Sequence, residues 1–454
     1  MNQRHLTRRQ LLGAASTAAI VSACSPFGGR DTSGDAGGSG GETKTIRFIT
    51  PADLGLEREL YTGFLKDFES ANSGTKVTVT FEAWDDYMTK LPTLLAGGAI
   101  PDLIHQHMSI VQDYGQRGAL LDLAPLMKRD NVDREAFVPE LFDAFADGEK
   151  VYGIPKDCAA WGVYYNKGLF DKAGVEYPAD DWTMEQFQQT VRDLTVDKAG
   201  RSPGDAGFDP RSIKQWGLNW LAPTPTESEN SRGFVRAFGG DWYDEAYQAT
   251  LIDQPPAHAQ FEMFRRMRCV DGSTPSPSQE LGQGDPFRAG LTAMTVAFHN
   301  ADFFLREEKA KFDWGVTYLP SGPGGQFVPV GCSGWAIAAD AKNPEGAWTL
   351  IKHLTSPEVQ TKIAAQKRWG PSVRAAMDQL VRTDPKDGFV KVHVDPMRGK
   401  SDREVITFKF PANQSRIQQA YAANFDPIWT TCSTDDVAGA AQKTKQAVDT
   451  VLAS

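Results

Sequence analysis

The chain has 454 residues, of which 41% are hydrophobic, and a formal net charge of −10. This length and apolar content suffice for two ordinary domains, each with its own buried core. The negative charge leaves no broad basic surface for a phosphate backbone, which argues against nucleic-acid binding. The sequence therefore predicts a soluble, two-lobed protein.

Residues 1–23 predict an export signal rather than folded structure. Arg8 and Arg9 precede an apolar stretch, residues 11–23, that is too short to span a bilayer comfortably. Residues 7–12 read TRRQLL and resemble the twin-arginine export motif. Export is therefore expected.

The segment VSAC, which ends at Cys24, resembles a bacterial lipobox, in which the cysteine thiol receives lipid. Acyl chains contribute about 0.8 kcal/mol per buried CH₂, so two or more of them would anchor a mature protein that starts at Cys24. Residues 24–43 are rich in Gly, Ser and Asp and predict a flexible tether. The expected location is the outer face of the cell membrane. The alternative is an ordinary signal peptide with an incidental cysteine.

Four cysteines remain after such processing: Cys158, Cys269, Cys332 and Cys432. An even number in an exported chain suits two disulfides, with three possible connectivities. The absence of a CxxC pair from the sequence gives no support to a zinc ribbon or a thioredoxin-type site. Buried free thiols are the alternative.

The folded part opens with alternating strands and helices. Strands are predicted at residues 45–50, 76–81 and 101–105. Between them, apolar residues recur at helical spacing at Tyr61, Phe64, Leu65 and Phe68, and again at Tyr87, Leu91, Leu94 and Leu95. This order predicts an α/β fold with a parallel sheet, whose ligands bind beyond the carboxyl ends of the strands. The loops at 51–54, 82–84 and 105–107 should therefore carry function.

Later helix starts are also readable. Asn343 and Ser356 each precede a proline and a glutamate, an arrangement typical of a helix N-terminus. An amphipathic helix is predicted over residues 435–452.

Three segments together resemble the sugar-binding proteins of ABC importers, the maltose-binding type of extracellular solute-binding family 1. They are Trp84–Asp102 (WDDYMTKLPTLLAGGAIPD), Tyr152–Gly174 (YGIPKDCAAWGVYYNKGLFDKAG) and Gly331–Glu358 (GCSGWAIAADAKNPEGAWTLIKHLTSPE). The last two resemble the family's crossover strands and the helices after them.

The resemblance implies a two-lobed periplasmic-binding-protein-like fold of type II, whose lobes are joined by crossover hinge strands. The N-lobe would combine residues 44–155 and 335–375, and the C-lobe residues 158–330 and 376–454. Such lobes close on a ligand by a hinge motion. The implied function is capture of a small carbohydrate in the interlobe cleft and delivery to a permease, by a monomer without cofactor or metal.

Two alternatives to sugar binding stay open. The same fold could take a peptide, a polyamine or a metal ion. A secreted glycoside hydrolase would need two carboxylates at a defined separation, and the sequence singles out no second one. An enzyme is therefore not expected.

Asp157 is the principal ligand candidate, because the resemblance places an acidic sugar ligand in this crossover strand. A carboxylate accepts hydroxyl hydrogen bonds strongly, so Asp157→Asn should weaken binding without affecting folding. A hinge salt bridge is the alternative role.

Further candidates lie in the predicted loops and in segments that relatives direct into the cleft. Trp84 could stack on a sugar or anchor its helix, and His105 with His107 could in principle hold a metal. One of Trp216 and Trp220 is expected in the core, and Trp369 and Arg374 could instead be a buried indole and a solvated cation. The candidates are Asp53, Trp84, His105, Gln106, His107, Trp216, Asn219, Trp220, His299, Asn300, Gly331, Ser333, Trp369 and Arg374.

The resemblance also suggests the disulfide pairing. Cys158 and Cys332 lie in the segments similar to the two crossover strands, which run side by side, so a bridge between them is expected. Cys269 would then pair with Cys432.

Overall fold

A computed structural model describes residues 44–52, 55–98, 100–220, 224, 229–276, 279, 285–367, 369–383, 388–407, 410–411 and 413–453. These residues belong to one compact unit, Thr43–Ser454. The predicted export signal, Cys24 and the tether lie outside the described residues, as does Asp53.

The strands, in chain order, are β1 (Lys44–Pro51), β2 (Thr75–Glu82), β3 (Leu103–His107), β4 (Ala146–Asp147), β5 (Lys150–Val151), β6 (Ile154–Pro155), β7 (Asp157–Asn166), β8 (Val196–Asp197), β9 (Ile213–Asn219), β10 (Thr292–Phe298), β11 (Trp314–Thr317), β12 (Phe327–Gly331), β13 (Ser333–Ile337), β14 (Gly370–Pro371) and β15 (Glu404–Thr407).

The α-helices are α1 (Gly55–Ala71), α2 (Trp84–Ala96), α3 (Met108–Gln116), α4 (Ala124–Asp130), α5 (Pro139–Asp143), α6 (Lys167–Ala173), α7 (Met184–Asp193), α8 (Asn230–Ala237), α9 (Pro255–Arg265), α10 (Asn300–Glu307), α11 (Pro344–Leu354), α12 (Pro357–Ala365), α13 (Arg374–Thr383), α14 (Gly388–His393), α15 (Gln414–Trp429) and α16 (Val437–Leu452). A π-helical turn, Arg266–Val270, follows α9.

The first sheet has the strand order β2-β1-β3-β13-β6. Strands β1, β2 and β3 are parallel, as the alternation of strands and helices predicts, whereas β13 runs antiparallel to β3 and β6. The prediction that the third strand ends at His105 is wrong. Because β13 pairs with β3 as far as His107, both His105 and Gln106 lie inside the strand.

The second sheet has the order β15-β12-β7-β10-β9-β8, with β11 and β14 also paired to β7. Strand β7 runs antiparallel to β10, β11, β12 and β14, while β9 and β10 are parallel. This long strand therefore organises the second sheet.

The two sheets take their strands from different parts of the chain. The first uses strands within residues 44–155 and 333–337, and the second uses strands within 157–331 and 370–407. Strand β14 pairs with β7 of the second sheet, although it falls in the range expected for the N-lobe. The lobe boundaries themselves stay a prediction.

The predicted helix starts are present with their caps. Asn343 accepts a hydrogen bond from the Gly346 amide at 3.0 Å, and Ser356 accepts one from the Val359 amide at 3.3 Å. Asp436 caps α16, which begins two residues after the predicted start. Caps of this kind stabilise a helix by about 1 kcal/mol.

The cysteine pairing agrees with one expected bridge and contradicts the other. Cys269 and Cys432 form a disulfide with a Cα separation of 5.6 Å. Cys158 and Cys332 are free and buried, so the bridge predicted between them is wrong. The Cys158 Sγ faces the His393 carbonyl at 3.8 Å, whereas the Cys332 Sγ faces the Met108 Sδ at 3.9 Å. The crossover strands do run side by side, but the two thiols point to different neighbours.

Across the described residues, no helix combines the length and apolar character needed to cross a membrane.

Candidate functional site

The two sheets meet where the chain crosses between them. Residues 155–157 and 331–333 connect the sheets, and the Lys156 amide donates to the Ser333 carbonyl at 2.8 Å. His107 ends β3 and pairs with Ser333. On the second sheet, Phe298 ends β10 opposite Trp161 of β7. The carboxyl ends of β3 and β10 therefore both lie near the crossovers, where α/β folds bind their ligands.

Glu229 connects side chains from the two sheets. It lies just before α8, and only 6% of its surface is exposed. The Trp161 Nε1 donates to Oε2 of Glu229 at 3.2 Å, and the His107 Nε2 lies 3.7 Å from Oε1. The carboxylate thus faces His107 of the first sheet and Trp161 of the second.

The backbone beside this carboxylate requires a glycine. A Cβ built at Gly331 would lie 3.0 Å from the carboxyl carbon of Glu229. This is tighter than an ordinary carbon contact of about 3.5–4.0 Å. The glycine therefore allows Glu229 to pack directly against the crossover.

Aromatic rings border the same point. The indole of Trp84 meets the ring of His107 edge to face, with centroids 5.7 Å apart. The Nδ1 of His107 lies 2.8 Å from the Ser109 hydroxyl, which holds the imidazole at the start of α3. The ring of Trp161 packs on Phe298 at 4.9 Å. We call the following residues the inter-sheet site: Trp84, His107, Trp161, Glu229, Phe298, Gly331 and Ser333.

This arrangement suits recognition of hydroxyl groups. A carboxylate accepts hydrogen bonds from hydroxyls, and flat aromatic faces cover the apolar faces of a ring. Burial, with the nearby charges of Asp157 and Glu229, raises the pKa of the Cys332 thiol well above its usual value. The thiol beside the site is therefore protonated at neutral pH and is not an activated nucleophile.

A match to the family described as bacterial extracellular solute-binding protein covers residues 55–361. The chain belongs to this family. An erythritol/L-threitol-binding protein of Mycolicibacterium smegmatis is 24% identical over 421 residues, which cover 82% of each chain.

Solved structures share the fold. An ABC substrate-binding protein of Listeria monocytogenes in complex with cycloalternan aligns with a TM-score of 0.77 at 22% identity, covering 90% of this chain and 99% of that one. UgpB from Mycobacterium tuberculosis in complex with glycerophosphocholine aligns with a TM-score of 0.75 at 19% identity, covering 90% and 98%. The predicted two-lobed fold of type II is confirmed.

Asp157 does not lie in the geometry expected of a principal ligand. Its Oδ1 accepts the Ser333 amide at 2.7 Å, and its Oδ2 pairs with the Lys156 Nζ at 3.1 Å. Both oxygens therefore hold crossover residues together. The arrangement corresponds to the hinge salt bridge, and a direct role in binding stays a prediction.

His105 and Gln106 are buried in β3 instead of lying in a loop. His105 packs edge-on against Trp84, Tyr87 and Trp335. Burial, followed by the positive charge of Lys156, holds its pKa well below the usual value, so the ring is neutral at pH 7. The side-chain amide of Gln106 has no hydrogen-bond partner among the described residues. Both residues support the sheet beneath the inter-sheet site.

The segment of residues 216–220 divides between core and site edge. Trp220 is core: it packs on Phe234 at 4.3 Å and donates to Asn230 at 2.8 Å. Trp216 is buried in β9. Asn219 is the last residue of β9, is 7% exposed, and its Oδ1 lacks a hydrogen-bond partner in the described part of the chain. Of these three residues, Asn219 is therefore the one with a side-chain oxygen available to a ligand at the end of the strand.

His299 turns inward, away from the position expected of a ligand contact. It is 1% exposed, and its ring lies near the rings of Phe389 and His393 in the core beside the second sheet. Asn300 begins α10 and is partly buried.

Trp369 and Arg374 take the alternative roles, those of a buried indole and a solvated cation. The Lys156 Nζ lies 4.4 Å from the ring centroid of Trp369, which also packs against Tyr61. Arg374 is exposed, and its Nε donates to the Phe137 carbonyl at 3.0 Å. Their expected ligand contacts are not supported by this geometry.

A metal site over residues 105–107 also lacks support. The described residues contain no group of three or more His, Cys, Asp or Glu side chains placed to hold an ion.

Sequence reasoning missed Trp161 and Glu229. Trp161 lies within the crossover segment that carries the family resemblance, four residues after Asp157. Its position in that segment was a usable signal. Glu229 follows a sequence segment without a motif, and its long-range contacts with Trp161 and His107 reveal it.

Proposed function

We propose that the protein is the solute-binding component of an ABC importer, which captures a small carbohydrate or polyol at the inter-sheet site and delivers it to a membrane permease. The observation that carries this is the buried Glu229 carboxylate between Trp161 and His107. It offers hydrogen-bond acceptors bordered by aromatic rings, which is what a ring of hydroxyls and CH groups needs.

The comparisons support the same solute class. Two of the relatives bind cycloalternan and erythritol or L-threitol, and both names describe polyhydroxylated, uncharged molecules. The family consists of binding proteins, so capture and release rather than catalysis is the activity proposed. Closure of the lobes about the crossovers would present the loaded form to the permease, because a ligand favours the state that it binds better.

Ligand addition should raise the melting temperature of the mature protein. A ligand that binds only the folded state at 100 times its Kd stabilises that state by about 2.7 kcal/mol. We therefore expect a clear thermal shift with at least one mono- or oligosaccharide or polyol. Shifts only with a peptide, a polyamine or a metal ion would contradict the proposed solute class while keeping the binding role. Release of reducing sugar from an oligosaccharide would instead indicate a hydrolase.

The N-terminal segment supports a lipid anchor, which is part of the proposal. Cys24→Ser should abolish lipid attachment and release the protein from the membrane fraction, because no thiol remains to be acylated. Fractionation of cells that express each form measures the result. Arg8→Lys with Arg9→Lys is the matched variant, since it should block export without removing the lipidation site. Membrane retention of the Cys24→Ser protein would contradict the anchor.

A further inference from the structure

We propose that Glu229 contacts the bound solute and determines its charge class, so that the inter-sheet site admits neutral or cationic polyols and excludes anionic ones. This inference rests on the proposed function and narrows it to one substrate class.

The charge of Glu229 is not neutralised by a lysine or an arginine of the described residues. Its described partners are the Trp161 indole and the His107 imidazole. Lys156 is the nearest cation of the crossovers, and its ammonium group is already paired with Asp157 at 3.1 Å. An anionic group placed against Glu229 would therefore meet a like charge that has no lysine or arginine partner among the described residues, at a site largely removed from water.

The start of α2 adds negative charge beside Trp84. Asp85 and Asp86 follow Trp84 directly at the start of α2. These carboxylates add negative charge on the side of the site formed by the first sheet, which favours cations over anions.

The hydrogen-bonding groups of the site agree with this charge. Trp220 donates to Asn230 at 2.8 Å, which brings the end of β9 and the start of α8 together. Asn219 and Glu229 lie directly before these two residues. The Oδ1 of Asn219 is buried and has no donor among the described residues. Asn219 and Glu229 thus both present acceptors, which hydroxyl and ammonium groups can satisfy. Phosphodiester and carboxylate oxygens are acceptors only and cannot do so.

One structural neighbour is bound to glycerophosphocholine, a zwitterion whose phosphodiester is balanced by a quaternary ammonium group, so it does not define an anionic solute class for the fold.

The test is calorimetric titration of the mature protein with a fixed panel that spans the charge classes. The neutral members are erythritol, glucose and maltose, and the cationic members are glucosamine and spermidine. The anionic members are glucuronate, glucose 6-phosphate and glycerol 3-phosphate. We expect wild type to bind at least one neutral or cationic solute and to bind every anionic one at least tenfold more weakly.

Three variants separate charge from shape. Glu229→Gln keeps an acceptor for the Trp161 indole but removes the charge. We expect this variant to bind the preferred solute at least tenfold more weakly than wild type does, and to discriminate less strongly against anionic solutes. Glu229→Asp keeps the charge on a shorter side chain, so affinity should fall while anions stay excluded. Glu262→Gln, on the surface of α9, is the matched control and should behave as wild type. Melting temperatures of the ligand-free variants check folding, and Glu229→Asp decides the question if Glu229→Gln does not fold.

The outcomes distinguish the failure of the charge selection from the failure of the proposed function. Unchanged sugar affinity in Glu229→Gln overturns the role of Glu229 and leaves the proposed function standing. Tight binding of glucuronate, glucose 6-phosphate or glycerol 3-phosphate by wild type overturns the charge selection. Binding of spermidine alone, weakened by Glu229→Gln, supports the charge selection and contradicts carbohydrate binding. Binding of no panel member contradicts both.

Discussion

Replacing Cys269 and Cys432 together with serine should lower the free energy of unfolding by about 5 kcal/mol, because the disulfide closes a loop of 163 residues. On the chain-entropy treatment, a cross-link over so long a loop removes many conformations from the unfolded chain. The bond ties the π-helical turn after α9 to the segment after α15. Urea unfolding of both proteins measures the difference.

Reduction provides an independent control. Wild type in dithiothreitol should lose about the same 5 kcal/mol, whereas the serine variant should not respond. The double variant Cys158→Ala with Cys332→Ala keeps the disulfide, so it should remain sensitive to the reductant. Alkylation of Cys269 in native, unreduced protein would contradict the bridge.

The local part of the fold could be predicted from the sequence. Strands β1 and β2 and helices α1 and α2 follow from residue periodicity within each segment, and the caps Asn343 and Ser356 follow from side chains three residues from their partners. The end of β3 could not be placed, because it depends on pairing with β13, which lies more than 200 residues away.

The candidate site could be predicted only in part, because it too depends on contacts between residues that are distant in sequence. Trp84, His107, Gly331 and Ser333 were predicted and do come together. His299 was expected at the ligand, and the roles of Trp220, Trp369 and Arg374 were left open between ligand contact and their alternatives, because a sequence does not show whether an aromatic or polar side chain points into the core or the cleft.

Asp157 illustrates the limit most clearly. Its residue type and its crossover position fitted a ligand carboxylate, yet the adjacent Lys156 turns its ammonium group onto it. Neighbours in a strand normally point to opposite faces, so this pairing is not expected from spacing. It depends on aromatic side chains that are distant in sequence.

Lys156 is held by aromatic rings and charges from several elements. Its Nζ lies 5.1 Å from the ring centroid of Trp335 and 4.4 Å from that of Trp369, and it donates to the Tyr61 hydroxyl at 3.3 Å. Burial lowers the pKa of Lys156, but its electrostatic interactions with Tyr61, Asp157 and Glu57 outweigh this effect, so the pKa is raised overall. A raised lysine pKa stabilises the fold fully below the unfolded value of about 10.4 and loses that effect only as pH rises through the folded value. Unfolding measured at any pH from 6 to 9 therefore includes the full contribution of Lys156 to stability.

Lys156→Met should destabilise the protein by about 3–5 kcal/mol at pH 7, because it leaves the buried Asp157 carboxylate without its cation. Asp157→Asn should also destabilise, since it leaves a buried ammonium group unpaired, and this replaces the expectation that its folding is unaffected. The double variant removes both charges while the introduced side-chain amide can still accept the Ser333 N–H, so it should be more stable than the sum of the two losses predicts. Lys66→Met, on the exposed face of α1, is the control and should change stability by no more than about 0.5 kcal/mol. Strictly additive losses in urea unfolding would show that the two charges do not stabilise each other, and the crossover would then be held by backbone pairing and aromatic packing alone.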